Sequence, residues 1–146
     1  KHAITSGIKV KGNTIYRNDK AGIVFGGFEK KAGRVMKCSF THNIVYQNNR
    51  HKEDHNGELW VQWASENEVT NNTFVTTGDS PLTQVDTGGV AGNIINHNRY
   101  YTNAGESEAF FLWHGEDVTG FSSWKAVSAL DAASTFGPVE EPNVKQ

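Results

Sequence analysis

The chain has 146 residues, with 14 Lys and Arg against 16 Asp and Glu and a net charge of −2. That length fits one domain with a single core. The charge balance excludes the global basic field that recruits nucleic acid or an anionic membrane, so neither is an expected partner. The one cysteine, Cys38, excludes an internal disulfide framework and a Cys-based zinc site, and reads as a small buried apolar residue. No apolar run approaches the length of a membrane span, and the opening residues KHAITSG form no signal peptide, so the chain reads as a processed or excised piece.

Taken in chain order, the predicted elements repeat. An apolar run around Ile8 and Val10 leads into GNTIYRN, and a polar turn then leads to GIVFGG at 22–27. The same succession returns as VMKCSF (35–40), HNIVYQN and GELWVQW (57–63), then as ENEVT (66–70), NNTFVTT and PLTQVD (81–86). It returns a last time as GNII (92–95), HNRYYTN and EAFFLWHG (108–115). Aligned on their asparagines, Asn13, Asn43, Asn72 and Asn98, the segments are spaced by 30, 29 and 26 residues. Three short runs per repeat, rich in β-branched and aromatic residues and punctuated by Gly and Asn, predict one turn of a three-sided coil. Equivalent strands of successive repeats then stack in parallel about 4.8 Å apart, with a right-handed crossover. The recurring Asn has a physical reason. It tolerates left-handed backbone at a tight corner and can hydrogen-bond to its copies, so Asn13, Asn43, Asn72 and Asn98 are expected to form a structural ladder.

After the fourth repeat, Ser122 or Ser123 can cap a short helix in which Phe121, Trp124, Val127 and Leu130 recur at near-helical spacing, with Gly137 and Pro138 ending it. The expected architecture is therefore all-β: a right-handed parallel β-helix of about four coils over 1–120, with a helical cap and tail over 121–146, in one domain. Nothing comparable precedes residue 8. The N-terminal coil is expected to be covered by a partner chain, as in a homo-oligomer, or to continue into further coils.

The N-x-[IVFY] corner followed by an N-x-x-G-[IE] turn resembles the right-handed parallel β-helix repeat proteins of the pectate-lyase-like superfamily. The stretch FLWHGEDVTGFSSWKAVSALDAAS is similar to the end of many bacterial members, with Trp113, Gly115, Thr119, Trp124, Asp131 and Ser134 in the corresponding places. The resemblance implies an extracellular or periplasmic location and a substrate groove along the strand that follows the turn after the Asn corner. It leaves activity open, because the fold hosts lyases, hydrolases, epimerases and non-catalytic adhesins.

On that groove strand, alternation places Leu59, Val61 and Trp63 on one face and Glu58, Trp60 and Gln62 on the other. With the apolar set inward, Trp60 and Gln62 face out. In the fourth coil either Phe110 with Leu112 or Phe111 with Trp113 faces out, and alternation does not choose between them. Trp60, Phe111 and Trp113 are the candidate sugar platform, with Gln62 and His114 as hydrogen-bonding neighbours. The longest turn, NNRHKEDHNG at 48–57, precedes the Trp60 strand. Its His55 and Lys52 are candidate catalytic groups, for proton transfer and for neutralising a uronate carboxylate. A second basic cluster, FEKKAGR, offers Lys31 and Arg34, which with Lys30 are expected near the 50–55 turn. For hydrolysis, Glu58 and Asp86 are the one carboxylate pair that falls on neighbouring groove strands.

No compact metal-ligand motif is present and no cofactor is expected. A row of Asp19, Glu53, Asp54, Asp79, Glu106 and Glu108 is the oxygen chemistry that would suit calcium, which some members of the superfamily bind. Two functions follow. One is a polysaccharide-binding protein similar to polysaccharide lyases and hydrolases; the other is a non-catalytic module that assembles through its open N-terminal coil.

Overall fold

The structure is a computed structural model that describes residues 3–52 and 57–144, so Glu53, Asp54 and His55 of the 48–57 turn lie outside the described residues. Four coils of short strands stack on one another. Coil 1 contains β1 (Ile4–Ser6), β2 (Lys9–Lys11), β3 (Thr14–Tyr16) and β4 (Ile23–Phe25), and coil 2 contains β5 (Arg34–Met36), β6 (Ser39–Thr41), β7 (Ile44–Tyr46) and β8 (Leu59–Val61). Coil 3 contains β9 (Ala64–Ser65), β10 (Glu68–Thr70), β11 (Thr73–Thr76) and β12 (Thr83–Val85), and coil 4 contains β13 (Ile94–Asn96), β14 (Arg99–Thr102) and β15 (Phe110–Trp113). Equivalent strands pair in parallel, giving sheet A (β1, β5, β9), sheet B (β2, β6, β10, β13), sheet C (β3, β7, β11, β14) and sheet D (β4, β8, β12, β15). The chain is an all-β parallel solenoid of four coils.

Three sides were expected and four are found. The run VMKCSF is not one strand, because Lys37 turns the chain with φ +55°, as do Gly7, Glu66 and Gly92 at the same place in the other coils. The Asn corner needs a similar correction. The left-handed residue is the one before each ladder Asn: Gly12, His42, Asn71 and His97, with φ of +71°, +58°, +58° and +55°. The corner residue turns the backbone, and the Asn that follows points inward and joins the coils.

That ladder is continuous. The Asn13 and Asn43 side-chain amides donate to the Oδ1 of Asn43 and Asn72 at 3.1 and 3.0 Å, and Asn72 donates to Asn98 at 3.2 Å. Each Oδ1 also accepts the backbone N–H of the preceding Asn, at 2.9–3.0 Å. Asn43, Asn72 and Asn98 are buried, so these bonds satisfy groups that water cannot reach. A second ladder runs from the Cys38 N–H through Asn67 to Asn93.

Between the sheets lies the core. Its rows run across coils, as in Ile15, Val45, Phe74 and Tyr100 or Val10, Phe40, Val69 and Ile95. Each fully buried member contributes roughly 1.5–3 kcal/mol. Cys38 belongs to this core, as expected.

Coil 4 is closed by β16 (Glu116–Thr119), antiparallel to β15, and by α1 (Phe121–Ser128). The expected serine cap is not used. Gly120, at φ +98°, starts the helix with no side-chain cap, and Ala129 in the left-handed conformation ends it, well before Gly137. The chain leaves the β15–β16 hairpin through a conformation that glycine adopts readily, so Phe121 enters the helix at once and both serines fall inside it. Trp124 is fully buried and stacks on Phe111 at 4.8 Å. Its indole N–H donates to Asp131 Oδ2 at 2.9 Å, as does the Tyr100 hydroxyl. Asp131 also accepts from Ser134 Oγ at 2.6 Å, and Ser134 Oγ takes the Asn98 N–H at 2.9 Å. The cap thus terminates the Asn ladder with a hydroxyl held by a buried carboxylate. Last, β17 (Thr135–Phe136) returns to pair with β14 in sheet C.

Candidate functional site

Sheet D positions the candidate residues. Inward from it face Ile23, Leu59, Thr83 and Phe111, and next to them Phe25, Val61, Val85 and Trp113. Between these rows Val24, Trp60, Gln84 and Leu112 stand in register on the outer face. The outward placing of Trp60 therefore holds, and it is half-buried. The fourth coil takes the other alternative. Phe110 and Leu112 face out, while Phe111 is fully buried beneath Trp124 and Trp113 packs edge-on to Trp124 at 5.8 Å. Phe111 is thus removed from any sugar platform, and Trp113 belongs to the cap side of the core. The cause is α1, whose aromatic side chains fill the last layer from above.

One residue beyond each strand, a second row forms. The N–H groups of Gln62, Asp86 and His114 donate to Phe25, Val61 and Val85, all at 2.9 Å, so these three residues occupy equivalent backbone positions in successive coils, His114 with left-handed backbone and its ring stacked on Trp113 at 4.1 Å. Backbones in such a stack lie about 4.8 Å apart. Trp60 is tied into the row: its indole N–H donates to Asp86 Oδ2 at 3.0 Å, and Gln84 Nε2 lies 3.4 Å from Asp86 Oδ1. The 26–34 turn, with Lys31 and Arg34, leaves sheet D at the same end, and Arg34 opens β5. Trp60, Gln62, Asp86 and His114 thus lie toward one end of sheet D, the end from which the turn carrying Lys31 leads to Arg34 at the start of sheet A.

Lys52 is elsewhere. It precedes β8, whereas the Lys30–Arg34 cluster follows β4, and the two strands are parallel neighbours. The two basic groups accordingly lie at opposite ends of sheet D, not together as expected. Lys52 pairs with Asp79 at 3.1 Å and shares a cleft of about 270 Å³ with Arg17, Gln47, Asn49 and Arg50.

Glu58 and Asp86 are also separated. Glu58 immediately precedes the Leu59–Thr83 pair and Asp86 immediately follows the Val61–Val85 pair, so four residue steps, roughly 13 Å, lie between them along the strands. That exceeds the about 5–9.5 Å that glycosidic cleavage requires. Glu58 is, besides, fully buried. Its carboxyl accepts the Asn48 N–H at 3.0 Å and the Asn48 side-chain amide at 2.8 Å, and so closes a third short ladder that begins at Asn18. Burial outweighs these bonds and pushes the Glu58 carboxyl up to about 8.

Of the acidic row, Asp19 faces His51 at 3.5 Å and Asp79 faces Lys52. Among the described residues no three His, Cys, Asp or Glu side chains come together as a metal-binding group. Two features of the surface were not anticipated. Trp63 is covered by the turn Thr87–Gly89, where a Cβ on Gly88 would lie 2.2 Å from its ring. Tyrosines Tyr16, Tyr46 and Tyr101 form an outward row on sheet C, and their recurrence three residues after a ladder Asn was visible in the sequence.

No family model matches the chain, and no solved structure does. It is similar, at 30% identity over 130 residues, to the uncharacterized protein YwoF of Bacillus subtilis (strain 168). That match takes in 88% of this chain, which spans only 27% of the length of the relative it matches.

Proposed function

We propose that the solenoid binds a polysaccharide on the outer face of sheet D, at the end marked by Trp60, Gln62, Asp86 and His114. The observation that carries this reading is the anchored indole of Trp60. Its N–H is engaged by Asp86, which holds a half-buried ring in place beside polar residues that follow the strands of successive coils. A fixed aromatic surface can cover the C–H side of a sugar ring while neighbouring amide, carboxylate and imidazole groups bond its hydroxyls. Lys31 and Arg34 add positive charge at the same end, which suits an acidic sugar. The reading is one of binding, because the carboxylate pair considered for hydrolysis is split between the core and the surface. Affinity electrophoresis through gels containing acidic and neutral polysaccharides, with absorbance monitoring for unsaturated products, tests it. Retardation by at least one polysaccharide that is lost in Trp60→Ala is expected. Equal mobility of both proteins in every gel refutes the reading.

A second reading has its own support. The four strands of coil 1 stand at the edges of their sheets, and Ile4 and Ile8 are 60% and 49% exposed there. Edge strands with apolar side chains are templates for pairing with another chain. Association of two copies through this end predicts a sedimentation-velocity mass that rises with concentration and reverts to one chain in Ile8→Lys. A single-chain mass at all concentrations excludes it.

A further inference from the structure

The outer face of sheet C carries a row that the sheet D reading does not use. Tyr16, Tyr46, Val75 and Tyr101 stand in register across the four coils and alternate with the core residues Ile15, Val45, Phe74 and Tyr100, so they point outward. Outward residues of a solenoid ordinarily meet water, yet Tyr46 is 8% exposed and Val75 only 2%. Residues 137–144 of the same chain cross this row. At coil 4 the Gly137 N–H donates to the Tyr100 carbonyl at 3.1 Å, and the Arg99 guanidinium donates to the Pro138 carbonyl at 2.8 Å. At coil 1 the Glu141 carboxylate accepts from the Tyr16 hydroxyl and, at 2.8 Å, from Arg17. A segment held at coil 4 and at coil 1 passes over coils 2 and 3, and Val139 and Pro142 are half-buried in doing so.

The covering segment has a definite chemistry. GPVEEPNV has no helix or strand, contains two prolines, and carries Glu140 and Glu141. Extended proline-containing peptides are what aromatic-lined tracks recognise, since such peptides have little conformational freedom to lose. The track is cationic at both ends, with Arg99 at one and Arg17 at the other. Arg17 also lines the cleft of about 270 Å³ that includes Arg50 and the Asp79-paired Lys52. The contact in cis is also loosely held: Arg17 and Glu141 are 46% and 52% exposed, and solvent-exposed pairs of this kind are weak.

We propose that the outer face of sheet C is a docking track for an extended, acidic, proline-containing peptide of another protein, and that residues 137–144 occupy it in cis until such a ligand displaces them. The inference is independent of the polysaccharide reading, which concerns a different sheet. Its test uses fluorescein-labelled GPVEEPNV and fluorescence anisotropy at low and high salt. Glu141→Ala weakens the covering segment, and the peptide is expected to bind this variant about threefold to fivefold more tightly than the unaltered protein, the size of one exposed ion pair. Arg17→Gln added to Glu141→Ala is expected to abolish that gain. Gln suits the position, since the equivalent residue of coil 2 is Gln47, also with φ +49°. Trp60→Ala is expected to leave peptide binding unchanged.

Several outcomes overturn the proposal: no gain in Glu141→Ala, a gain that survives Arg17→Gln, or competition by polygalacturonate as effective as that by unlabelled peptide at equal charge. The last would make the track a general polyanion site. Dimerisation of Glu141→Ala without peptide binding would also sink it, by assigning the segment to exchange between copies.

Discussion

Glu58→Gln separates a structural carboxyl from a catalytic one. The Glu58 side chain is fully buried at the corner before β8, where the Asn18–Asn48 ladder has no further asparagine to bond because coil 3 places Thr77 at that point. Two Asn48 donors and the Thr76 hydroxyl favour the carboxylate, but burial opposes it more strongly and raises the group from 4.5 to about 8. Because the folded-state value is the higher one, the folded protein holds a proton that the unfolded chain releases between these limits. Stability from this group is therefore complete below about pH 4.5 and is lost as pH rises toward 8, with a slope of about 1.4 kcal/mol per pH unit. From pH 4.5 to pH 7 the loss is roughly 3 kcal/mol. Gln keeps the shape, accepts from Asn48 through its carbonyl and cannot ionise. Urea unfolding of both proteins from pH 4 to pH 8.5 measures the effect, and the difference between them isolates Glu58 from every other titrating group. The two are expected to agree within about 1 kcal/mol at pH 4.5, with the Gln protein more stable by roughly 2–3 kcal/mol at pH 7. Parallel pH profiles would refute the placement of this carboxyl in the core.

Other consequences follow from the ladders and the cap. Asn72→Ala removes the acceptor of two Asn43 donors, takes the side-chain donor from the Phe40 carbonyl and leaves Asn98 Oδ1 with the Asn72 backbone N–H alone, so a loss of about 3–5 kcal/mol is expected in urea unfolding. Gly22→Ala places a Cβ 2.3 Å from Val45 Cγ1 and 2.8 Å from the Glu58 carbonyl, and is expected to cost about 2 kcal/mol or more. Gly12→Ala, with φ +71° but open space around it, is expected to cost only about 1 kcal/mol, which thermal unfolding of the pair can compare. Asp131→Ala strips the acceptor from the buried donors of Trp124, Tyr100 and Ser134. A loss of about 3–5 kcal/mol and a shift in the near-UV dichroism of the aromatic cap are expected.

The stacking of coils was legible because the same corner recurs with the same asparagine, and repetition is a long-range contact written locally. The outward Trp60 was legible for a related reason, since Leu59 and Val61 flank it with plain alternation. FFLW in coil 4 has no such contrast. All four residues are apolar, and the choice of Phe111 as inward is made by Trp124, thirteen residues later, closing over it. Glu58 misled in the opposite sense: a carboxylate on a groove strand reads as surface chemistry until Asn48 is seen bonding to it from the previous corner. The split of VMKCSF was hidden because Lys37, an ordinary strand residue in composition, takes the left-handed turn that Gly7 and Gly92 take in other coils. The tyrosine row was in the sequence at three of the four asparagine corners. What was not written there is that residues 137–144 come back across it.

The most direct measurement of the polysaccharide reading follows the indole N–H resonances of the four tryptophans while oligosaccharides of acidic and neutral polysaccharides are added. Trp60 lies on the proposed surface, Trp63 under the Thr87–Gly89 turn, and Trp113 and Trp124 in or against the cap. A binding sugar is expected to shift the Trp60 resonance first and most, with Trp124 unmoved. A Trp60 resonance that stays in place with every sugar, or a sugar that moves the other three and leaves it unchanged, rules out sugar binding at Trp60.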